Sequence, residues 1–306
     1  MPAVREFSDE ELRVGSLRSL DAIGECLAVA DLDGARRYAR RLRREVLAML
    51  GSYDGWERGL LAEVAARGGD PDALLTSIAD PTIAPERCTE ATGADAFRAR
   101  AAALDAEIAS GDVGRAEQSA RSLHEAALRR HDRGMSRVSA LLSHLAREYG
   151  AEAVDQALTR VMASDLTGTA SFRERAEALM HFTRVHLQPF ELSEDAEKLT
   201  FLCPVCPSGG RLLREGHYDA PRNDARVRGP APITWGLSEL PAYCCHEPAM
   251  ERASIEATGV PLFVVEPAER LGEQPCRTFL YKRAEDIPER YYRRVGLEKP
   301  KRPKSG

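Results

Sequence analysis

Apolar residues recur at helical spacing through roughly the first 190 positions and turn to strand-like runs only beyond them. Leu12, Leu20, Ile23 and Leu27 fall on one face of a helix. Ser8 and Glu11 form a Ser-x-x-Glu box, with acids in the first turn, that marks its start. After Asp33-Gly34 a second helix is predicted, with Ala35, Tyr38, Ala39, Leu42 and Val46 inward and an arginine-rich outer face from Arg36 to Arg44. Gly51 to Gly55 predicts a break, and Leu60, Leu61 and Val64 a third helix. Gly68-Gly69 predicts its stop and Asp70-Pro71 the cap of the next. A second box, Ser171 with Glu174, opens a long helix through Phe172, Leu179, Phe182 and Val185. Proline ends it at Gln188-Pro189.

The same pattern occurs twice. An offset of 81 positions aligns Ala35 with Ala116, Ala39 with Ala120, Arg40 with Arg121 and Leu42 with Leu123. It also aligns Leu60-Leu61 with Leu141-Leu142 and Gly69 with Gly150, without gaps. Residues near 20–79 and 101–160 therefore read as two copies of a helical-hairpin unit, with 80–94 as connector. The expected class is mainly α: a helical bundle over 1–189, then a small α+β metal-binding, zinc-knuckle-like domain over 190–298.

In that second part, Glu191 to Lys198 reads as a linker, Leu199 to Leu202 as a strand, and Arg211-Leu212-Leu213 as a strand. A long loop from Gly216 to Pro232 follows, then Ile233-Thr234-Trp235 returning to the sheet. Glu247 to Thr258 predicts a helix closed by Gly259. Pro261 to Val265 and Arg277 to Tyr281 predict strands, and Ile287 to Val295 a short helix. Residues 299–306 read as a basic, disordered tail.

With 306 residues, 43 % of them hydrophobic, the chain can bury a sizeable core divided into two domains. A net charge of -5 and pI near 5.9 give no general attraction to nucleic acid. No apolar run approaches the ~20 residues of a membrane span, and the opening MPAVREFSDEEL lacks a secretion signal. The expectation is a cytoplasmic protein. Alanine and arginine dominate the first two hundred residues, and Lys198 is the first lysine. That bias fits a GC-rich bacterial coding sequence.

Chemistry concentrates in the last third, which holds five of the seven cysteines. The stretch FLCPVCPSGGR carries Cys203 and Cys206, two residues apart, and further on come Cys244, Cys245 and His246, then Cys276. A Cys-x-x-Cys turn lets two sulfurs reach one ion, and its flanking prolines and glycines restrict and shape the turn. This half resembles the Cys-Pro-x-Cys knuckle of rubredoxins and zinc ribbons over about ten residues, where the partner here is Cys244-Cys245-His246 instead of a second Cys-x-x-Cys. Cys244 and His246 point the same way on an extended segment. The expected ligands are Cys203, Cys206, Cys244 and His246, with Cys245 as substitute, and the expected cofactor is zinc. An iron–sulfur cluster on Cys203, Cys206, Cys245 and Cys276, or thiolate-bound haem, is the alternative. Without a secretion signal the thiols are expected reduced, and Cys26 and Cys88 read as small hydrophobes.

The second helical copy gains histidines: His124 and His131 share a face seven residues apart, and His144 is placed on the following helix. The words Ile-Ala-Ser-Gly-Asp, ending at His124 after an alanine, are similar to a stretch in the ligand-binding domain of GntR-type regulators. That resemblance implies a helical bundle holding a metal with histidines.

No P-loop, Gly-x-Gly-x-x-Gly, Gly-x-Ser-x-Gly or His-Glu-x-x-His is present. The leading expectation is a metal-dependent enzyme acting on a small anionic metabolite, of hydrolase or lyase type. Glu247, His217 and His186 are its candidate acid–base groups. Ser208, Gly209, Gly210 and Arg211 are candidates for binding a carboxylate or phosphate, and Trp235 for lining the pocket. The alternative is a non-enzymatic ligand sensor or adaptor with a structural zinc, possible as a homodimer. Nucleic-acid binding ranks third, because a basic-aromatic surface is missing. No membrane partner is expected.

Overall fold

The computed structural model describes residues 5–78, 93–162 and 171–300. Seven helices come first: α1 (Asp9–Ser16), α2 (Ser19–Ala28), α3 (Leu32–Ala66), α4 (Pro71–Ser77), α5 (Ala94–Ser110), α6 (Val113–Met162) and α7 (Phe172–Arg184). The predicted starts at α1 and α7 carry complete capping boxes, Ser8 with Glu11 and Ser171 with Glu174. Asp70 caps α4 through the N–H groups of Asp72 and Ala73. At the head of α6, Arg115 donates its N–H to Asp112.

Two helices are longer than the punctuation suggested. The predicted break at Gly51–Gly55 does not occur, and α3 runs unbroken for 35 residues. Met49, Leu50, Tyr53, Leu60 and Val64 keep a buried stripe going past both glycines. That packing outweighs a cost of about 1 kcal/mol for each glycine. Helix α6 spans 50 residues, interrupted by one non-helical residue, Gly150, at φ 81°. His124, His131 and His144 therefore all lie on one helix. Helices α2 with α3 and α5 with α6 make two helix pairs, joined by short turns at 29–31 and 111–112.

Beyond α7 the chain is mixed. Strands β1 (Glu191–Glu194), β2 (Lys198–Leu202), β5 (Val264–Glu266) and β6 (Arg277–Tyr281) form an antiparallel sheet of order β1-β2-β6-β5. Leu199 faces Leu280 and Phe201 faces Thr278 across the central pair. Strands β3 (Arg226–Arg228) and β4 (Glu239–Pro241) pair separately. Helices α8 (Gly209–Arg214), α9 (His246–Thr258) and α10 (Glu289–Arg293) complete this part. Gly259, in the left-handed region, closes α9 as expected.

Four readings of this part are corrected, the first being that the long loop from Gly216 to Pro232 contains β3, which pairs with β4. The 191–198 linker contains β1, whose single clear apolar residue, Leu192, is too little to announce a strand. The predicted strand at Arg211-Leu212-Leu213 is helix α8, which buries Leu212 and tucks Gly209 and Gly210 against cysteines. Ile233-Thr234 is a 3₁₀ turn that does not join the sheet. Most of the 80–94 connector, the tail beyond 300 and Cys88 lie outside the described residues.

The buried side chains form one contiguous core from Phe7 to Val295. Helix α6 carries much of the seam between the two parts. Ser139 donates to Asp224 at 2.6 Å, Ser143 accepts the N–H of Ala225 at 2.8 Å, and Arg252 reaches Asp155 and Thr159. A buried carboxylate, Glu251 of α9, collects Trp235 Nε1–H, Val265 N–H and the Arg294 guanidinium. That network ties α9 to β5 and to the end of the chain. No described helix is long and apolar enough to cross a membrane.

Candidate functional site

A cavity of about 120 Å³ opens where α7, α8, α9 and the sheet meet. Four cysteines line it: Cys203 after β2, Cys206 in the following turn, Cys244 in the turn before α9, and Cys276 before β6. Three distant stretches of chain thus deliver sulfur to one place. His186, His246 and Glu247 share the lining, and Phe182, Phe201, Trp235 and Phe263 supply apolar wall.

The knuckle is built by close approach. Helix α8 begins at Gly209, and a Cβ there would stand 2.3 Å from the Cys244 sulfur. A Cβ at Gly210 would stand 2.6 Å from that of Cys206. The N–H of Gly210 donates to the Cys206 sulfur at 3.3 Å, and that of Ala268 to the Cys276 sulfur at 3.5 Å. Burial pushes the Cys203 thiol up to about 12 and Cys276 up to about 11. The Cys244 thiol is raised too, by burial first and then by Cys206 and Cys276 nearby. Cys203, Cys244 and Cys276 therefore stand as neutral thiols at ordinary pH. Among the described residues, no three or more His, Cys, Asp or Glu side chains are gathered closely enough to hold a metal ion as they are.

Other sequence candidates are placed differently. Cys245 turns away into the core, where its thiol donates to the carbonyl of Pro241. His246 stacks edge-on against Trp56 and Tyr243, with Nδ1 2.6 Å from the Tyr243 carbonyl and Nε2 3.1 Å from Glu247. Ser208, Gly209, Gly210 and Trp235 line the cavity, but Arg211 does not. Its guanidinium is committed to Glu215 and to Asp132 on α6. The Gly210 N–H of that turn is given to the Cys206 sulfur. His217 also lies off the cavity, buried beside Asp224 at 3.6 Å.

His186 has an unforeseen partner. Its Nδ1 lies 2.9 Å from Nε2 of His131, whose Nδ1 lies 2.9 Å from Asp132. The pair joins α6 to the segment just after α7, 55 positions apart. Burial lowers both rings, His186 to about 3, so both are neutral. His124 and His144 take no part: His124 is buried near Arg18 and Asp21, and His144 packs against Tyr149. The seven-residue spacing put His131 on one face with His124, and His186 was a candidate acid–base group, but nothing local pointed to a contact between His131 and His186.

Comparison with protein-family models, with curated proteins and with solved structures returned no match.

Proposed function

We propose that the chain binds a zinc-class ion through thiolates drawn from Cys203, Cys206, Cys244 and Cys276, and that the adjoining cavity takes a small uncharged molecule for metal-assisted chemistry. The observation that carries this reading is the convergence of four cysteines from three separate stretches on one cavity. Buried thiols with raised pKa are poor nucleophiles, so thiol chemistry alone lacks its thiolate. A bound divalent cation inverts that logic, taking the protons off its sulfur ligands. The N–H donors on Cys206 and Cys276 favour the same charged form. The sulfurs would close on the ion by side-chain rotation, since they are not gathered beforehand. Sulfur and imidazole donors select zinc over harder cations.

The metal would polarise a carbonyl or activate water, with Glu247 as the acid–base group beside it. Among the described residues, no lysine or arginine lines the cavity, whereas aromatic and aliphatic side chains do. An uncharged ligand suits that wall better than an anion.

The test is metal content by mass spectrometry on untagged protein, followed by zinc competition against a chromophoric chelator. About one ion per chain is expected, lost in Cys206→Ser and Cys244→Ser and kept in Cys245→Ser. A wild-type protein with no metal and no zinc uptake sinks the proposal. Variants that lose the metal yet stay folded support a chemical role; variants that unfold make the zinc a staple.

A further inference from the structure

His186 and His246 both reach the cavity, but their ring nitrogens are committed differently. In His246 both nitrogens already have close oxygen partners, Nδ1 the Tyr243 carbonyl at 2.6 Å and Nε2 the Glu247 carboxylate at 3.1 Å. His186 can be resolved by following the protons. Asp132 lies beside the Arg211 guanidinium at 3.4 Å and is a carboxylate, which only accepts. His131 Nδ1 must therefore carry the proton that it shares with Asp132. Its Nε2 is then the accepting nitrogen of a neutral ring. His186 Nδ1 must donate to it, which leaves His186 Nε2 bare.

Both rings are held in place. They cross at 89°, Tyr53 packs edge-on against His131 at 5.4 Å, and Phe182 packs against His186 at 6.2 Å. A neutral imidazole that donates its other N–H to a fixed acceptor is the arrangement found behind metal-ligating histidines, where the outer partner sets tautomer and orientation.

We propose that His186 supplies its Nε2 lone pair to the metal ion bound among the cavity thiols, with His131 and Asp132 as positioning residues behind it. This rests on the metal reading given above and deepens it. The donor set becomes mixed sulfur and nitrogen, and its nitrogen comes from the helical part while the sulfurs come from the C-terminal part. His246 then serves as wall, not ligand.

Long-range ¹H–¹⁵N spectra of the full chain, labelled at histidine and free of metal, give the tautomers directly. His186 is expected to be protonated at Nδ1 and bare at Nε2, and a proton on Nε2 overturns the proposal. On titration with zinc chloride, the Nε2 signal of His186 is expected to move as the ion enters, and both His246 signals to stay. Zinc uptake with His186 untouched overturns this inference alone; no uptake overturns it together with the metal reading. Asp132→Ala is expected to weaken zinc binding about 10–100-fold, and Asp132→Asn, which keeps an oxygen acceptor, to recover most of it. The wild-type spectra decide the matter even if a variant fails to fold.

Discussion

Arg184 donates its Nε–H to Glu45 at 2.9 Å across 139 positions of sequence, and it does so two residues before His186. Glu45 is 1 % exposed and also accepts from Ser19 at 2.7 Å, with Arg41 alongside. A buried carboxylate shared in this way fixes where α7 ends. Glu45→Ala would take the shared carboxylate from two part-buried guanidinium groups and is expected to destabilise the fold by about 3–5 kcal/mol. Urea unfolding measures it. A loss below about 1 kcal/mol would mean that water replaces the carboxylate and that the end of α7 is held by packing alone.

Acid should loosen the protein through His124. Burial lowers this ring from 6.5 to about 4, with Arg18 adding to the effect and Asp21 opposing it. Its Nδ1 has no hydrogen-bond partner. Above pH 6.5 the ring is neutral in both states, and its contribution to stability is complete. As pH falls toward about 4, the unfolded chain takes the proton while the native one does not, so stability declines by up to about 3 kcal/mol. His186, lowered to about 3, acts in the same direction and further down. In His124→Gln the difference in unfolding free energy between about pH 7 and pH 4 should shrink. An unchanged slope would assign the acid sensitivity to other groups.

Gly209 tests the knuckle without touching a sulfur. Its backbone is helical, so alanine suits its conformation, but the added methyl would meet the Cys244 sulfur at 2.3 Å. Gly209→Ala is therefore expected to displace Cys244 and cut zinc binding at least tenfold, or by about 1.4 kcal/mol, with the far-ultraviolet circular dichroism preserved. Full zinc affinity in this variant would show that Cys244 is not a ligand.

The helical half was largely readable because caps and apolar periodicity are local signals. Ser8 with Glu11 and Ser171 with Glu174 marked helix starts that the structure contains. Gly51 and Gly55 misled because tertiary packing of α3 outweighs glycine's weak local preference. In the C-terminal part, β1 escaped notice because its pairing with β2, not its composition, makes it a strand. Of the site, the nearness of Cys203 and Cys206 was visible in their spacing. Cys276 entered only as an alternative ligand, since nothing near it in sequence announces a partner. The His131–His186 contact was invisible, because it depends on how α6 and the end of α7 are brought together. Arg211 and His217 lie off the cavity, which was not legible because sequence gives residue type and nearness, not the direction in which a side chain is spent.

Helix α6 meets the C-terminal part at Asp132, Ser139, Ser143 and Asp155, on both sides of its interruption at Gly150. Such a seam resembles the contact between two protein partners more than a link between independent domains. A chain cut between α6 and α7 should accordingly behave as a heterodimer. The two pieces, expressed separately, should recognise one another on mixing and rebuild the cavity from both sides.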